Sequence, residues 1–437
     1  MSDSLFPDID PTPMQEAGED TPVRYATAQR DQVELRPVDL ESLLPPGHAA
    51  RLVWRFVEGL DLSALYGRIK AREGGPGRTP IDPKILVALW LYATIDGVGA
   101  AREVGRLCEA HDAYRWICGG VSVGYRTLSE FRVAHRLVID DLVTQSIAAL
   151  LARGIVTLAR VAHDGTRVRG SAGAGSFRRG ERLQDCLRVA RKQVERTAKH
   201  MDGPAASRTE AAQRRAAEDR LARVEEALAQ LPAVQAVKDR QSSPRRGAAR
   251  VSTTDPDARV MKMADGGFRP AYNVHFATDI DSRAIVGVRT LNVGSDQSQL
   301  TPMLDDIARR VGRVPAAEVL DGGFVTKAEI TTAADRGVTV YAPPMHRRPE
   351  TRAAHDPVAG DSPAVAAWRA RMATAEAKAL YKQRAATAEW VNADARTHRT
   401  LTQVVVRGLA KVHTLALWAA LAHNVIRTMG IVPHTMT

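Results

Sequence analysis

The stretch Arg160-Val161-Ala162-His163-Asp164-Gly165-Thr166 follows a short apolar run and places one carboxylate beside a glycine. This pattern predicts a β-strand over 155–168 that carries Asp164 at its tip. A second strand, Val319-Leu320-Asp321-Gly322-Gly323, ends in the same way, and a third acid, Glu389, lies on a predicted helix between bases. A single acid at a strand tip usually belongs to a turn. The functional prediction therefore depends on all three acids, which we expect to meet and hold metal.

The composition is that of a folded protein with an excess of positive charge. The chain has 437 residues, of which 44% are hydrophobic, so it can bury a sizeable core in two domains or in one domain with an insertion. The net charge of +11 and the pI of about 9.8 favour a polyanionic partner. Nucleic acid is the first candidate and an acidic membrane surface the second, and a basic protein without such a partner is the alternative.

The cysteines and the apolar runs indicate the cellular setting. The three cysteines, Cys108, Cys118 and Cys186, are odd in number and form no CxxC motif, which argues against disulfides and zinc and favours a reducing cytoplasm. The acidic, proline-rich N-terminus does not resemble a signal peptide. No apolar run approaches the length of a membrane span, so we expect no membrane association.

The first third of the chain predicts a flexible arm over 1–40, followed by helices over 41–152. Asp82 is suited to cap a helix that has Pro83 in its first turn. Thr127 and Glu130 fit a capping box at the start of a later helix with exposed polar and basic residues. Short helices in this order are typical of a helix-turn-helix DNA-binding domain, and an ordinary helical bundle fits the pattern equally well.

From residue 153 to residue 437 the pattern mixes strands with helices. A charged segment with apolar residues at every third or fourth position predicts two antiparallel helices inserted over 178–250, ending in a basic return loop. Further strands are predicted over 272–277, 285–288 and 338–342. This order predicts an α/β (α+β) fold with a mixed central sheet covered by helices.

The three acids suit phosphodiester chemistry. In a two-metal site, divalent cations about 3.5–4 Å apart stabilise the attacking and the leaving oxygen. Mg²⁺ needs only a few carboxylates because it keeps several waters. We expect the glycines beside Asp164 and Asp321 to permit close approach of a nucleic-acid backbone, and the helix that begins near Thr326 to favour phosphate.

Glu389 requires a separate argument because most acids in a protein are solvated. On an uninterrupted α-helix, Lys382 and Arg396 would each lie about 20° from Glu389, on either side of it. An acid between two bases suits a metal ion beside DNA. A row of surface salt bridges is the simpler interpretation of this helix taken alone. Asp255 and Asp257 are the reserve candidates for a third acid.

Several motifs occur in a set order between residues 40 and 430. They are Trp116, Gly119-Gly120, Thr127-Leu128-Ser129-Glu130-Phe131-Arg132, His163-Asp164-Gly165-Thr166, Thr254-Asp255-Pro256-Asp257-Ala258-Arg259, Tyr272-Asn273-Val274, Leu320-Asp321-Gly322-Gly323, and Tyr381, Arg384, Glu389 and Arg396. Together they resemble bacterial insertion-sequence transposases of the DDE class with an InsH-type N-terminal region. The resemblance implies an RNase H-like catalytic domain over 153–437.

The resemblance also implies which residues act. The triad would be Asp164, Asp321 and Glu389, holding two Mg²⁺ ions, with Mn²⁺ as a substitute. In many members a base lies four residues before the last acid; that position is Ala385 here, and Arg384 is one residue further away. The residues expected to contact DNA are Arg126, Thr127, Arg132, Lys262, Tyr381, Lys382, Arg384 and Arg396.

The activity implied by the resemblance is binding of terminal inverted repeats, metal-dependent strand cleavage and strand transfer into target DNA. No covalent protein–DNA intermediate is needed. A homo-oligomer on paired DNA ends and a cytoplasmic, nucleoid-associated location are expected. The alternatives are a domesticated or inactive DNA-binding derivative and a metal-dependent nuclease of the same fold, which would cut but not join.

Overall fold

The structure is a computed structural model, and it describes residues 28–33, 37, 39–72, 79–199, 208–240, 247–344 and 355–430. The described residues from Leu40 onward form one compact unit, and every described helix and strand belongs to it. Most of the predicted arm lies outside the described residues, as do Arg245 and Arg246 of the predicted basic loop.

Helices build the first part of this unit. They are α1 (Ala49–Glu58), α2 (Ser63–Tyr66), α3 (Pro83–Ile95), α4 (Ala101–Ala110), α5 (Asp112–Cys118), α6 (Tyr125–Ala134) and α7 (Arg136–Ala152). The predicted cap of α3 is confirmed, since the Asp82 carboxylate accepts the backbone N–H of Lys84 at 2.8 Å. The capping box predicted at Thr127 is wrong, because α6 begins two residues earlier and follows Gly124, which provides no side-chain cap.

A mixed sheet follows. Its strands and a small separate pair are β1 (Val161–Arg169), β2 (Phe177–Arg178), β3 (Val251–Ser252), β4 (Arg259–Lys262), β5 (Phe268–Asp279), β6 (Ile285–Leu291), β7 (Ala317–Val319) and β8 (Thr339–Tyr341). The main sheet has the order β4-β5-β1-β7-β8, and β6 also pairs with β5. The β4–β5, β5–β6 and β1–β5 pairs are antiparallel, whereas β7 is parallel to β1 and β8. This mixed sheet with flanking helices agrees with the predicted RNase H-like fold.

The remaining helices surround the sheet and form the insertion. They are α8 (Gly180–Lys199), α9 (Arg208–Asp239), α10 (Leu300–Val311), α11 (Lys327–Asp335), α12 (Pro363–Ala373), α13 (Ala375–Arg384), α14 (Trp390–Thr397) and α15 (Leu409–Met429), with a π-helical segment, Ala385–Glu389, between α13 and α14. The predicted helical hairpin is confirmed as α8 and α9, whose base packs on β3 through Leu183, Ala227 and Val251. The predicted capping box of Thr326 and Glu329 is present at the start of α11.

Helix α15 joins the N-terminal helices to the sheet. The Trp418 indole N–H donates to the carbonyl of Arg132 at 3.1 Å, and the Asn424 side chain bonds both the N–H and the C=O of Ile285. One hydrophobic core therefore continues from α1 to α15, and the domain boundary at residue 152 stays a prediction.

Helix α15 also bears on the membrane prediction. It is long and apolar enough to cross a membrane by length and composition, although no such run was expected. However, 72% of its most apolar window is buried inside the fold, and a core helix passes the same test.

Burial of His413 predicts a pH-dependent stability. His413 of α15 contacts the Thr290 hydroxyl at 3.2 Å, and burial, only partly opposed by the nearby Asp140 and Asp306 carboxylates, lowers its pKa to about 4. The unfolded chain, with an ordinary histidine pKa near 6.5, binds the proton more readily. Stability is therefore full above about pH 6.5 and falls towards pH 4, by about 2 kcal/mol after discounting for partial exposure. Denaturant titrations of wild type and H413N across this range should give a shallower pH slope for the variant; equal slopes would contradict the assignment.

Candidate active site

Two of the predicted acids follow a paired position on neighbouring strands. Ala162 of β1 is opposite Val319, the last residue of β7, and Asp164 and Asp321 each come two residues after this pair. Strand β1 lies at the centre of the sheet, where β5 and β7 flank it. This position suits a strand whose chain leaves the sheet for a long insertion and then returns to it. The predicted strand tip is wrong: β1 begins at Val161 and continues past Asp164 to Arg169, paired throughout with β5.

The third acid reaches this place through Arg384. The Arg384 guanidinium lies 2.8 Å from the Glu389 carboxylate and 3.3 Å from that of Asp164. Burial lowers the pKa of Arg384, but Asp164, Tyr381, Glu389 and Asp321 together raise it further than burial lowers it. Two acids from distant parts of the chain thus contact one half-buried cation, and the charge of Asp321 acts on the same group.

Burial also acts on Asp164 itself. It raises the pKa of the Asp164 carboxyl, and the negative charges of Asp296 and Glu389 act in the same direction. The Arg384 cation and the N–H of Gly165, which donates to Asp164 at 2.9 Å, oppose that rise. An acid with a raised pKa beside other acids gains from a nearby cation, because the cation stabilises its charged form.

The π-helical segment explains how Arg384 reaches Glu389. Residues five apart on an α-helix are separated by about 140° and do not meet. The wider turn over Ala385–Glu389 brings these two side chains together. The prediction that Lys382 and Arg396 lie beside Glu389 assumed an uninterrupted α-helix, and that assumption is wrong. Single π-helical turns are frequent at functional sites.

Asn392 is a site residue that the sequence analysis missed. Its amide donates to Asp164 at 3.2 Å, and its buried Oδ1 has no hydrogen-bond partner among the described residues. Its position three residues after Glu389, on the same helix face, was the available signal. Mg²⁺ accepts carboxylate and amide oxygens, so this donor set fits a divalent cation. As the described side chains lie, no three acids, histidines or cysteines are close enough to share one ion, so Arg384 would have to move aside for one.

The glycines beside the two acids, Gly165 and Gly322, are required by packing within the protein. This role differs from the predicted one, which was to permit close approach of nucleic acid. A Cβ on Gly165 would lie 2.8–2.9 Å from polar atoms of His275, Asn273 and Asp296. A Cβ on Gly322 would lie 2.5 Å from the carbonyl oxygen of Pro343. Each glycine therefore allows close packing within the protein.

The opposite face of β1 carries a buried polar cluster. His163 points away from Asp164 and contacts His275 at 3.0 Å. Asp296 accepts hydrogen bonds from Arg167 and Asn273 and lies 3.2 Å from His275. These contacts hold β1 on the face opposite Asp164. Asp296, the acid of these contacts, is therefore not a member of the triad.

The reserve acids, Asp255 and Asp257, serve the N-terminus of α15. Asp255 accepts the Tyr272 hydroxyl at 2.6 Å and the Gly408 N–H at 3.1 Å. Asp257 accepts the Leu409 N–H at 2.8 Å. Carboxylates are stabilising at a helix N-terminus, so these two acids have a structural role.

The predicted DNA contacts have different surroundings. Arg126 and Thr127 are exposed at the start of α6, beside a cleft of about 620 Å³ lined also by Thr79 and Ser122. Arg132 is only 5% exposed, donates to the Gly99 carbonyl, lies 4.5 Å from the Trp90 ring, and has a pKa lowered to about 10 by burial. We therefore drop Arg132 from the predicted DNA contacts.

The other predicted contacts lie on the catalytic side. Lys262 and Lys382 are exposed, Arg396 is half-buried, and Tyr381 lies under the Arg384 guanidinium at 5.8 Å. Their contact with DNA stays a prediction. Trp390, the neighbour of the third acid, packs on the core and against His423.

Removal of Arg384 should change the response to metal. Without Mg²⁺, we expect the free energy of unfolding of R384Q to be about 1–3 kcal/mol lower than that of wild type, because the acids lose their cation. R384Q should therefore melt at a lower temperature. Saturating Mg²⁺ should then stabilise R384Q more than wild type, since no guanidinium has to be displaced. Thermal melts with and without Mg²⁺ measure both effects, and K382Q on the same helix serves as the control. An equal Mg²⁺ response in R384Q and wild type would contradict this role of Arg384.

Two segments of the chain match family models built on transposases. Residues 357–429, which include Arg384 and Glu389, match a transposase DDE domain, and residues 38–134 match a transposase domain called DUF772. No curated protein and no solved structure matches the chain. These two matches indicate a transposase of the DDE class, the class of enzyme that cleaves DNA and transfers the cut strand. Together they indicate the insertion-sequence type within that class. Its InsH-type assignment stays a prediction.

Proposed function

We propose that this transposase binds the terminal inverted repeats of its element as double-stranded DNA and, with two Mg²⁺ ions, cleaves the element ends and joins them to target DNA. The observation that carries the proposal is the convergence of Asp164 and Glu389 on the Arg384 guanidinium, with the charge of Asp321 acting on the same group. Three acids whose charges act on one guanidinium, together with the unpartnered Oδ1 of Asn392, suit divalent metal.

The residues of the site would divide the work in the following way. Asp164, Asp321, Glu389 and Asn392 would hold the cations. When bound, the cations lower the pKa of water and stabilise charge on the attacking and leaving oxygens. Cleavage frees a 3′-hydroxyl, which then attacks a target phosphodiester in line and releases the other strand end. Both steps exchange one P–O bond for another.

Arg384 has a second role in this proposal. Once a metal replaces its guanidinium between the acids, the side chain is free to donate to a DNA phosphate. An arginine can contact two phosphate oxygens at once, which fixes the position of the backbone. Tyr381 under the guanidinium would limit where Arg384 can move.

End recognition would involve the N-terminal helices. Exposed Arg126 and Thr127 lie at the start of α6, where side chains of a recognition helix reach base edges. Lys262, Lys382 and Arg396 would add phosphate contacts, and the positive net charge supports binding of this kind. Paired DNA ends would require a homo-oligomer.

The test is strand cleavage and joining on DNA that flanks the gene. Labelled duplexes spanning each flank should be nicked at one phosphodiester with Mg²⁺ and not with EDTA, and the 3′-hydroxyl product should join to a plasmid. Cleavage without joining would favour the nuclease alternative. Binding without either reaction would favour the domesticated derivative.

A further inference from the structure

The hairpin formed by β4 and β5 presents an unusual outer surface. Phe268 is 69% exposed and Val260 is 51% exposed, and the exposed Lys262 is opposite Phe268 in the antiparallel register. Val260, Lys262 and Phe268 point to one side, whereas Met261 points to the other and is buried beside Gly294. Single exposed apolar residues are ordinary, but here two of them share one face with a lysine.

The hairpin is well ordered at its tip. Asp265 accepts the Gly267 N–H at 3.0 Å and the Arg269 guanidinium at 2.7 Å, and the N–H of Met263 donates to the carbonyl of Gly267 at 2.8 Å. Gly266 adopts a positive φ of 80°, which a tight turn requires. Phe268 therefore has a defined position despite its exposure.

Strand β5 fixes where Phe268 lies relative to the acids. Phe276 is directly opposite Asp164, and Phe268 comes eight residues earlier on the same strand. An even separation along a strand places both side chains on the same face as Asp164. At about 3.3 Å per residue, Phe268 lies roughly 26 Å from the level of Asp164. The same distance spans about eight base pairs of B-form DNA.

We propose that Val260, Lys262 and Phe268 form a DNA-contact surface, with Phe268 packing against the sugars or bases of the flanking duplex about eight base pairs from the cleaved phosphodiester. The inference rests on the proposed function, because it takes DNA to lie on the acids with its axis along β5. The positive net charge and Lys262 favour a polyanion. A second copy of the chain is the less suitable occupant, because a lysine on a four-residue edge strand opposes pairing with another strand.

The first test separates the apolar contact from the charged one. The probe is a fluorescein-labelled duplex of about 30 base pairs from the DNA flanking the gene, and affinity is measured by anisotropy over a range of salt. We expect F268A to bind about tenfold more weakly with an unchanged salt dependence. K262Q should reduce the slope of log K against log salt by about 0.9. V189S, which alters a 53% exposed valine on α8, is the matched control and should bind like wild type.

The second test maps the contact. Benzoyl-phenylalanine at position 268 should crosslink to the probe about eight base pairs from the cleaved phosphodiester. The inference would be overturned if wild type bound the probe, F268A bound it equally well and no crosslink formed at position 268. The proposed function would stand in that case. A change in self-association of F268A without DNA would assign the surface to a second copy and overturn it as well. If wild type does not bind the probe, both proposals fail.

Discussion

D164N, D321N and E389Q should each lose Mg²⁺-dependent strand cleavage by at least about a thousandfold while they keep their affinity for DNA. The expected loss follows from the several kcal/mol that metal ions contribute to the stabilisation of a phosphoryl-transfer transition state. Each substitution keeps the shape of the side chain and removes one charge from the group around Arg384. Affinity for DNA should stay equal or rise, because a negative charge facing the phosphates is removed.

The measurement is the single-turnover rate of nicking on a labelled flanking duplex, with anisotropy on the same duplex as the check on binding. E376Q is the matched control, since Glu376 is an exposed acid in the first turn of α13. E376Q should cleave at the wild-type rate. If D164N or D321N cleaved at that rate too, the assignment of the triad would be untenable.

The three acids of the triad could be proposed from the sequence, but the contacts that bring them together could not. The central position of β1 was predictable, because its chain leaves the sheet for the α8–α9 hairpin and returns to it. The position of Asp164 within β1 was not, because the glycine and the polar run that follow Asp164 suggest the end of a strand. In the fold, Arg167 of that run pairs at 3.0 Å with Asp296, which lies 129 residues further along the chain. Local patterns do not contain such long-range partners.

The contacts around Glu389 were unpredictable for a different reason. A hydrophobic pattern reports the mean period of a helix and does not reveal one wider turn within it. The π-helical segment Ala385–Glu389 shifts the phase by about one residue, which joins Arg384 to Glu389. Arg384 lies five residues before Glu389, one more than the four residues common in the family that the sequence resembles. The wider turn compensates for this extra residue.

Burial distinguishes two of the predicted DNA contacts, and contact of the exposed one with DNA stays a prediction. Arg126 and Arg132 lie on the same short helix, and their sequence surroundings treat them alike. In the fold, the Arg132 guanidinium packs on the Trp90 ring and donates to the Gly99 carbonyl, whereas Arg126 is exposed. Sequence identifies a helix and its charges, but the face that packs inward depends on neighbours such as α3.

R310M should destabilise the protein by about 3–5 kcal/mol, the typical cost of leaving buried charges without their partner. The Arg310 side chain is fully buried in α10, and it lies 2.5 Å from Asp140 of α7 and 3.0 Å from Asp306. Asp306 also accepts the N–H of Val288 in β6 at 2.9 Å. Arg310 thus connects the last N-terminal helix to the sheet that carries the acids.

The neighbouring arginine provides an internal control for that prediction. Arg309 pairs with the same two acids at 2.9 Å and 2.6 Å, but its side chain is 52% exposed. Exposed ion pairs contribute at most about 1 kcal/mol, so R309M should cost little. Urea titrations of R310M, R309M and wild type compare the free energies of unfolding directly. Equal losses for both variants would mean that burial does not decide the strength of this network, and that α7 is held to the sheet by apolar packing with α15 instead.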